Sequence, residues 1–193
     1  MVDDVDKKYG HNNFNEEQKI YMGIMTELGS LGWKEANELY KQVLGDNDTE
    51  TLRWLCLNDL FFLLVVGCRR EDANREWIYD RCREVQGDCD GRLDLWSREH
   101  YKSTIITFAL TIQEVLRDKD ITVGIFSHTR PIAKAFLSQI KREFEMNEFL
   151  KGLFPEVLWK NPKKESPKWS LDDGITVCRR SNPKESTQIV TGK

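Results

Sequence analysis

The sequence predicts a mixed α/β chain. A helical region over residues 1–90 leads into the first strand–helix–strand units of a parallel sheet over 91–193, a sheet left incomplete at the C-terminus. Three observations carry this expectation. Apolar residues recur at helical spacing through most of the first half. Ile121-Thr122-Val123-Gly124-Ile125-Phe126 is a near-continuous apolar run rich in β-branched residues, the pattern of a strand covered on both faces. Lys102 opens a helical pattern directly after a short strand-like stretch, Arg92 to Trp96, so the order strand–helix–strand–helix implies a right-handed crossover.

Helical spacing begins at Asn15, where Ile20, Tyr21, Ile24, Met25 and Leu28 share a face before Gly29 and Gly32 interrupt it. A second helix covers Lys34 to Leu44 and stops at Gly45. Asp48 or Thr49 caps a third, running through Leu52, Leu55, Leu60 and Leu63 to Val66, with Gly67 as its stop. The stretch REDANREWIYDRCREVQ forms a fourth, amphipathic through Trp77, Ile78, Cys82 and Val85, and GDCDG, Gly87 to Gly91, is a turn cluster. Beyond the turn, the helix Lys102 to Leu116 sets Ile105, Ile106, Ala109, Ile112 and Leu116 on or near one face. Pro131 suits the first turn of a helix over Ile132 to Phe144, with Thr129 or Arg130 near the cap. WKNPKKESPKW, Trp159 to Trp169, reads as a Pro/Lys-rich loop, and Ile175 to Cys178 and Gln188 to Val190 as short strands. Trp77, Trp96 and Phe126 are assigned to the core.

Composition narrows the function classes. The chain of 193 residues is 39% hydrophobic and 32% charged, enough for one sizeable core. Its formal net charge of −3 gives no global attraction to nucleic acid, so a DNA contact would need a local basic patch. The longest apolar run, Leu60 to Val66, has the length of a core segment and not of a membrane span. The acidic, polar start is no secretory signal. Five cysteines (Cys56, Cys68, Cys82, Cys89, Cys178) without a C-x-x-C pair read as reduced thiols in a cytoplasmic setting, not a disulfide framework or zinc site.

The stretch LWSREHYKST, Leu95 to Thr104, carries the chemistry. A helix N-terminus offers unpaired N–H groups and the positive end of the helix dipole, which suits a phosphate. A lysine placed there reaches β- and γ-phosphates, and the hydroxyl after it ligates Mg²⁺. Lys102 and Ser103 occupy those places. The usual spacing is G-x-x-x-x-G-K-[ST], and its two glycine positions hold Trp96 and Tyr101. A left-handed backbone at a non-glycine residue costs about 1–2 kcal/mol. Tyr101 therefore keeps an ordinary backbone or carries strain. Spacing alone leaves two readings open: a nucleotide site, or a basic residue in the first turn of a surface helix.

The segment LDLWSREHYKSTIITFALTIQEVL, followed by ITVGIFSHTRPIAKAFLSQIKREFE, resembles the large terminase subunit of tailed bacteriophages, the ATP-driven motor that packages DNA. The family's deviant phosphate loop is written S-R-x-x-x-K-[ST], and Ser97, Arg98, Lys102 and Ser103 match it in order and spacing. DGITVCRRSNPKESTQIVTG is similar to the stretch between that loop and the family's second ATPase motif. The resemblance spans residues 55–192.

The resemblance implies a P-loop NTPase sheet of the ASCE type, with ATP and Mg²⁺ as cofactors. Lys102 would bind the β/γ-phosphates, Ser103 the Mg²⁺, and Thr104 would support the loop. Arg98 would be the catalytic arginine that senses the γ-phosphate or stabilises its transition state. Ser97, Glu99, His100 and Tyr101 complete the nucleotide-binding loop. Viral double-stranded DNA, the portal protein and the small terminase subunit are the implied partners, in a ring at the procapsid portal within the bacterial host cytoplasm. Plainer readings stand beside these: an Arg98–Glu99 surface pair, and His100 as a turn filler. Ser127-His128-Thr129 reads either as a coupling element or as an ordinary helix start. Arg69-Arg70, Arg179-Arg180 and the lysines Lys160, Lys163, Lys164 and Lys168 read as DNA contacts or solvated charge.

A working motor also needs an apolar strand ending in paired acids. Asp172-Asp173 is preceded by PKWSL and followed by Gly174, which reads as a turn. The sequence reaches Lys193 before the second motif is expected, and the family's nuclease domain is missing, so the chain reads as an N-terminal fragment with little or no hydrolysis. Two alternatives remain: a degenerate fold acting only as an interaction module, and another helicase-like P-loop enzyme, for which no unwinding motif is found.

Overall fold

A computed structural model describes residues 31–87, 91, 93–179 and 190–191. The helix predicted from Asn15 to Leu28 lies outside them, as do Cys89, Arg92, Arg180 and Gln188. Helices dominate, joined by two short pairs of strands. Helix α1, Trp33–Asp46, buries Ala36, Tyr40 and Val43 and ends at Asn47 in the left-handed conformation (φ 51°). Asp48 caps α2, Thr49–Asn58, by accepting from the Glu50 and Thr51 amides at 3.3 and 3.1 Å.

The single helix predicted from Asp48 to Val66 is broken at Asp59. That residue is extended (φ −122°, ψ 103°), and its carboxylate caps a new helix, α3, Leu60–Phe62, through the amides of Phe61 (3.0 Å) and Phe62 (3.1 Å). A break leaves the last carbonyls of α2 without helical donors. Side chains from elsewhere supply them. Gln113 Nε2 donates to Cys56 O (3.0 Å), Arg117 Nε to Leu57 O (2.6 Å), and Gln86 Nε2 to Asn58 O (2.8 Å). Gln86 Oε1 in turn accepts from the Leu60 amide at 2.9 Å.

Helix α3 widens into a π-helical turn, Leu63–Gly67, closed by the Cys68 amide on Leu63 O at 2.7 Å. Gly67 lets the chain pass close to its neighbours: a Cβ there would lie 2.8 Å from Leu63 Cδ1 and 3.6 Å from Leu150 Cδ2. A 3₁₀ turn, Glu71–Ala73, leads to α4, Glu76–Gly87, so the predicted fourth helix starts later than its periodicity suggests. Helix α5 is π-helical over Ser103–Leu110 and regular over Thr111–Arg117. Strand β1, Gly124–Ile125, precedes α6, Arg130–Met146, with Pro131 in its first turn. Asn147 caps α7, Glu148–Leu153, through the Leu150 amide (3.0 Å) while donating to Gly67 O at 2.7 Å. The short α8, Pro162–Glu165, lies inside the loop predicted at Trp159 to Trp169. Strands β2, Trp169–Ser170, and β3, Gly174–Ile175, pair antiparallel, and β4, Val190–Thr191, pairs parallel with β1.

The strand content is smaller than predicted. Leu93 to Trp96 is in no ladder among the described residues, and Leu93 and Leu95 are 80% and 83% exposed. The run Ile121 to Phe126 yields only the two residues of β1, with Ile125 buried and Phe126 79% exposed. Its apolar pattern calls for cover on two faces. Helix α6 packs on β1, but Phe126 stays in solvent and is no core residue.

The core gathers around the rings of Tyr40, Phe61, Phe62 and Tyr79. Tyr40 meets Phe62 edge-on at 5.0 Å, and Phe61 meets Tyr79 edge-on at 5.2 Å. Ile105, Phe108 and Ile112 of α5 and Leu137, Ile140 and Phe144 of α6 close it from the second half of the chain. Asp59 sits inside, fully buried, accepting from Tyr40 Oη (2.6 Å) and Arg83 Nη2 (3.1 Å). Burial and the neighbouring Asp59 carboxylate both push the Tyr40 phenol far above its ordinary range. Burial, the largest single influence, would lower the Arg83 pKa, but Asp59, Tyr79 and Tyr40 together outweigh it and the guanidinium is held more firmly charged than usual. Removing one partner of a buried ion pair typically costs about 3–5 kcal/mol. Asp59→Ala is expected to fall in that range by urea unfolding, and Tyr40→Phe to cost only about 1 kcal/mol. Equal losses for the two variants would show that Asp59 acts through the tyrosine alone.

Candidate functional site

The loop from Trp96 to Thr104 is fastened to the helical half by residues about thirty positions earlier. Tyr101 Oη donates to Asp72 Oδ2 at 3.0 Å. Asp72 is in turn gripped by both prongs of Arg70, Nε and Nη2, each at 2.8 Å. The Tyr101 ring stands edge-on to Trp77 of α4 at 5.9 Å (75°), and the His100 ring is 5.9 Å from the same indole. Arg81, one turn further along α4, lies over the Trp96 ring at 5.4 Å.

Held at these points, the loop bends sharply. Glu99 (φ 66°) and Tyr101 (φ 54°) are both left-handed. Each such residue stores on the order of 1–2 kcal/mol. Tyr101 stands directly before Lys102, where the common pattern has its second glycine, so the strain allowed for in the sequence is realised there. The His100 Nδ1 lies 2.8 Å from Arg98 O, an atom that only accepts, so this ring nitrogen carries a proton. Lys102 has helical backbone angles (φ −50°, ψ −52°), and its Nζ reaches back toward Asp94 O at 3.5 Å.

The first amide of α5 paired with the preceding chain is Ile105, on Tyr101 O at 2.8 Å. The amides of Lys102, Ser103 and Thr104 therefore belong to the open end of the helix, where partial positive charge collects. Residues 96–104 line an open concavity of about 370 Å³. All the predicted binding residues fall on it: Ser97, Arg98, Glu99 and His100 exposed, and Tyr101, Lys102, Ser103 and Thr104 half-buried. Arg98 has no ion-pair partner among the described residues, Glu99 included. Two cations and three open amides face one hollow, an arrangement suited to a polyanion.

Other predicted residues lie apart from the loop. Asp172 and Asp173 form the β2–β3 turn, and Asp172 is paired with Arg130 (2.9 Å) and Lys134 (2.5 Å) of α6. The Lys134 ammonium, then the Arg130 charge, hold the Asp172 carboxyl below its ordinary value. Ser127 is half-buried and His128 and Thr129 are exposed, and Thr129 makes no side-chain cap on α6. Lys160, Lys163, Lys164 and Lys168 are exposed. Arg70 is committed to Asp72. Trp77, assigned to the core from its spacing, is 37% exposed at the edge of the loop, and Trp96 is half-buried beneath Arg81.

Among the described residues no group of three or more His, Cys, Asp or Glu side chains could hold a metal, and no helix is long and apolar enough to cross a membrane. No family model, no curated protein and no solved structure matches the chain.

Two predictions concern the loop. Glu99→Gly removes left-handed strain at an exposed side chain and is expected to stabilise the protein by roughly 0.5–1 kcal/mol net of the entropy glycine adds to the unfolded chain; thermal unfolding checks this. Arg70, with a smaller contribution from Tyr101, lowers the Asp72 carboxyl from its ordinary 3.8 to about 2. A depressed carboxylate stabilises the fold above the unfolded pKa and loses that contribution as pH falls through the folded one. The Asp72 side chain is 47% exposed, so the effect is screened to below about 1 kcal/mol. Wild type should exceed Asp72→Asn in urea midpoint at pH 5, and the gap should close by pH 2.

Proposed function

We propose that residues 97–104 bind the triphosphate of ATP together with Mg²⁺, within a P-loop ATPase core of the kind that drives viral double-stranded DNA into a procapsid. One observation carries this reading: Tyr101 is left-handed immediately before Lys102 at the start of a helix. The glycine of ordinary phosphate loops stands at this position because it adopts that conformation freely. The loop has the turn without the residue that makes it easy.

In this reading Lys102 turns from Asp94 O to the β/γ-phosphates, and the open amides of residues 102–104 receive phosphate oxygens. Arg98 sits at the rim of the same hollow, available to a γ-phosphate. Ser103 supplies the protein's hydroxyl for Mg²⁺, with phosphate oxygens and waters filling the other positions, as is usual for this ion. The parallel pairing of β1 with β4, with α6, α7, α8 and the antiparallel β2–β3 pair between them in the chain, is what supports a parallel-sheet core. The paired acids of a water-activating centre are not supplied by Asp172-Asp173, whose turn is tied to α6. The reading concerns nucleotide binding by the loop. Portal protein, small terminase subunit, a ring of copies and a place in the host cytoplasm belong to the same proposal.

A second reading, an interaction module without nucleotide, is favoured by the exposed apolar side chains of Leu93 and Leu95, which lie in no ladder among the described residues. A fluorescent ATP analogue with Mg²⁺ separates the two. Charge-assisted contacts of about 1.5–3 kcal/mol predict that Lys102→Ala weakens binding by roughly 10- to 100-fold. Equal affinity of variant and wild type would reject the loop as the phosphate site.

A further inference from the structure

The open amides of residues 102–104 are aimed by side chains that do not line the hollow. Asp72 and Arg70 are absent from the walls over Lys102, yet Asp72 Oδ2 holds Tyr101 Oη at 3.0 Å. Tyr101 is where the loop becomes helix. Its carbonyl accepts from the Ile105 amide at 2.8 Å, and the open amides lie between these two residues. Tyr101 is thus pinned at its hydroxyl and at its carbonyl. Its left-handed backbone (φ 54°), and with it the direction of the amides that follow, is set from both ends.

The pin stands on a firm mount. Asp72 belongs to the 3₁₀ turn Glu71–Ala73. The Arg70 amide joins this turn to the first π turn through Leu64 O at 3.2 Å. Asn74 joins it to α1: its Oδ1 accepts from Trp33 Nε1 (2.8 Å) and its Nδ2 donates to Asn37 Oδ1 (2.9 Å). Arg70 grips both Asp72 oxygens, Oδ1 from Nε and Oδ2 from Nη2. The carboxylate therefore cannot swivel from Tyr101 without breaking a two-pronged pair. Its charge is the telling feature. A carboxylate near a polyanion site is electrostatically adverse, so by charge alone its removal tightens anion binding.

We propose that Asp72 is a positioning residue for the phosphate end of the loop: without touching the ligand, it raises polyanion affinity by holding Tyr101, and through Tyr101 the amides of residues 102–104, in the receiving arrangement. Ordering done during folding is not charged to the binding step. The assignment rests on the nucleotide reading above and adds to it control of that site from the turn at residues 71–73.

The test measures Mg²⁺ complexes of ATP and of inorganic tripolyphosphate by calorimetry on wild type, Asp72→Ala, Asp72→Asn, Tyr101→Phe, the Asp72→Ala/Tyr101→Phe pair and Lys102→Ala. Asp72→Ala should weaken both ligands roughly tenfold, opposite in sign to the charge effect. Asp72→Asn deletes the same charge but keeps an acceptor for Tyr101 Oη, and should recover most of that loss. Tyr101→Phe should lose about as much as Asp72→Ala, and in its background Asp72→Ala should cost nothing more. Asp72→Ala binding as well as wild type or better, while Lys102→Ala weakens both ligands, would leave the phosphate site standing and overturn the positioning role. Equal losses for Asp72→Asn and Asp72→Ala would overturn it too, as would an Asp72→Ala loss that persists in the Tyr101→Phe background. Should Asp72→Ala fail to fold, Tyr101→Phe decides alone, and unchanged affinity there ends the proposal. If wild type binds neither ligand, or Lys102→Ala changes neither, the nucleotide reading itself falls and the positioning role with it.

Discussion

A charge placed where helix would otherwise continue organises the molecule. Asp59 is fully buried, and a buried carboxylate is tolerable only with several partners. It has four: the Tyr40 hydroxyl, the Arg83 guanidinium and the amides of Phe61 and Phe62. Satisfying the two amides turns the chain and starts α3. Turning the chain exposes the carbonyls of Cys56, Leu57 and Asn58, which then draw in Gln113, Arg117 and Gln86. Those three side chains belong to α4 and α5. One acidic residue thus fixes the relative placement of α1, α2, α3, α4 and α5.

That placement is what puts the loop together. Helix α4 carries Trp77 and Arg81, and α5 carries the open amides. The loop between them spans whatever separation the Asp59 network sets. The π-helical halves follow from the same packing. Leu63–Gly67 and Ser103–Leu110 lie against each other, and both bury nonpolar side chains at their contact. A π turn inserts an extra residue and re-aims the helix face. In α5 this occurs directly after Lys102, so the start of the helix and its core-facing side are set by different constraints. Asn147 adds a further tie, joining the first π turn to α7 through Gly67 O.

The helices were legible because burial of one face imposes a period that survives in the residues; α1, α4, α5 and α6 fall where Tyr40, Ile78, Ile112 and Leu137 place them. The break at Asp59 was not, because Leu55, Leu60 and Leu63 keep helical spacing across it. The only sign was an Asn-Asp pair of cap-forming type inside the run. Strands were over-read for a different reason. Ile121 to Phe126 has the composition of a doubly covered strand, but composition reports what a segment can bury, and pairing depends on partners distant in sequence. Of the candidate site, the contiguous part from Ser97 to Thr104 was legible as a pattern. Its fastenings, Asp72, Arg70 and Trp77, were not. They come from a different helix and turn, and nothing local couples Asp72 to Tyr101.

Those fastenings explain how a loop without glycine holds the shape. A left-handed Tyr101 and a left-handed Glu99 together store on the order of 2–4 kcal/mol. A hydrogen bond to a charged group returns about 1.5–3 kcal/mol, and Tyr101 makes one to Asp72, which Arg70 keeps ionised. The Tyr101 ring also packs on Trp77, which adds roughly 0.5–1.5 kcal/mol for an edge-on aromatic pair. The bulky side chain that makes the backbone unfavourable therefore supplies the contacts that offset it, something glycine has no atoms to do. The consequence for binding differs too. A glycine loop orders itself around its anion and loses entropy in doing so. In the proposed reading, a loop already locked by Asp72 and Trp77 has met that cost during folding, and its backbone amides are set before any anion arrives.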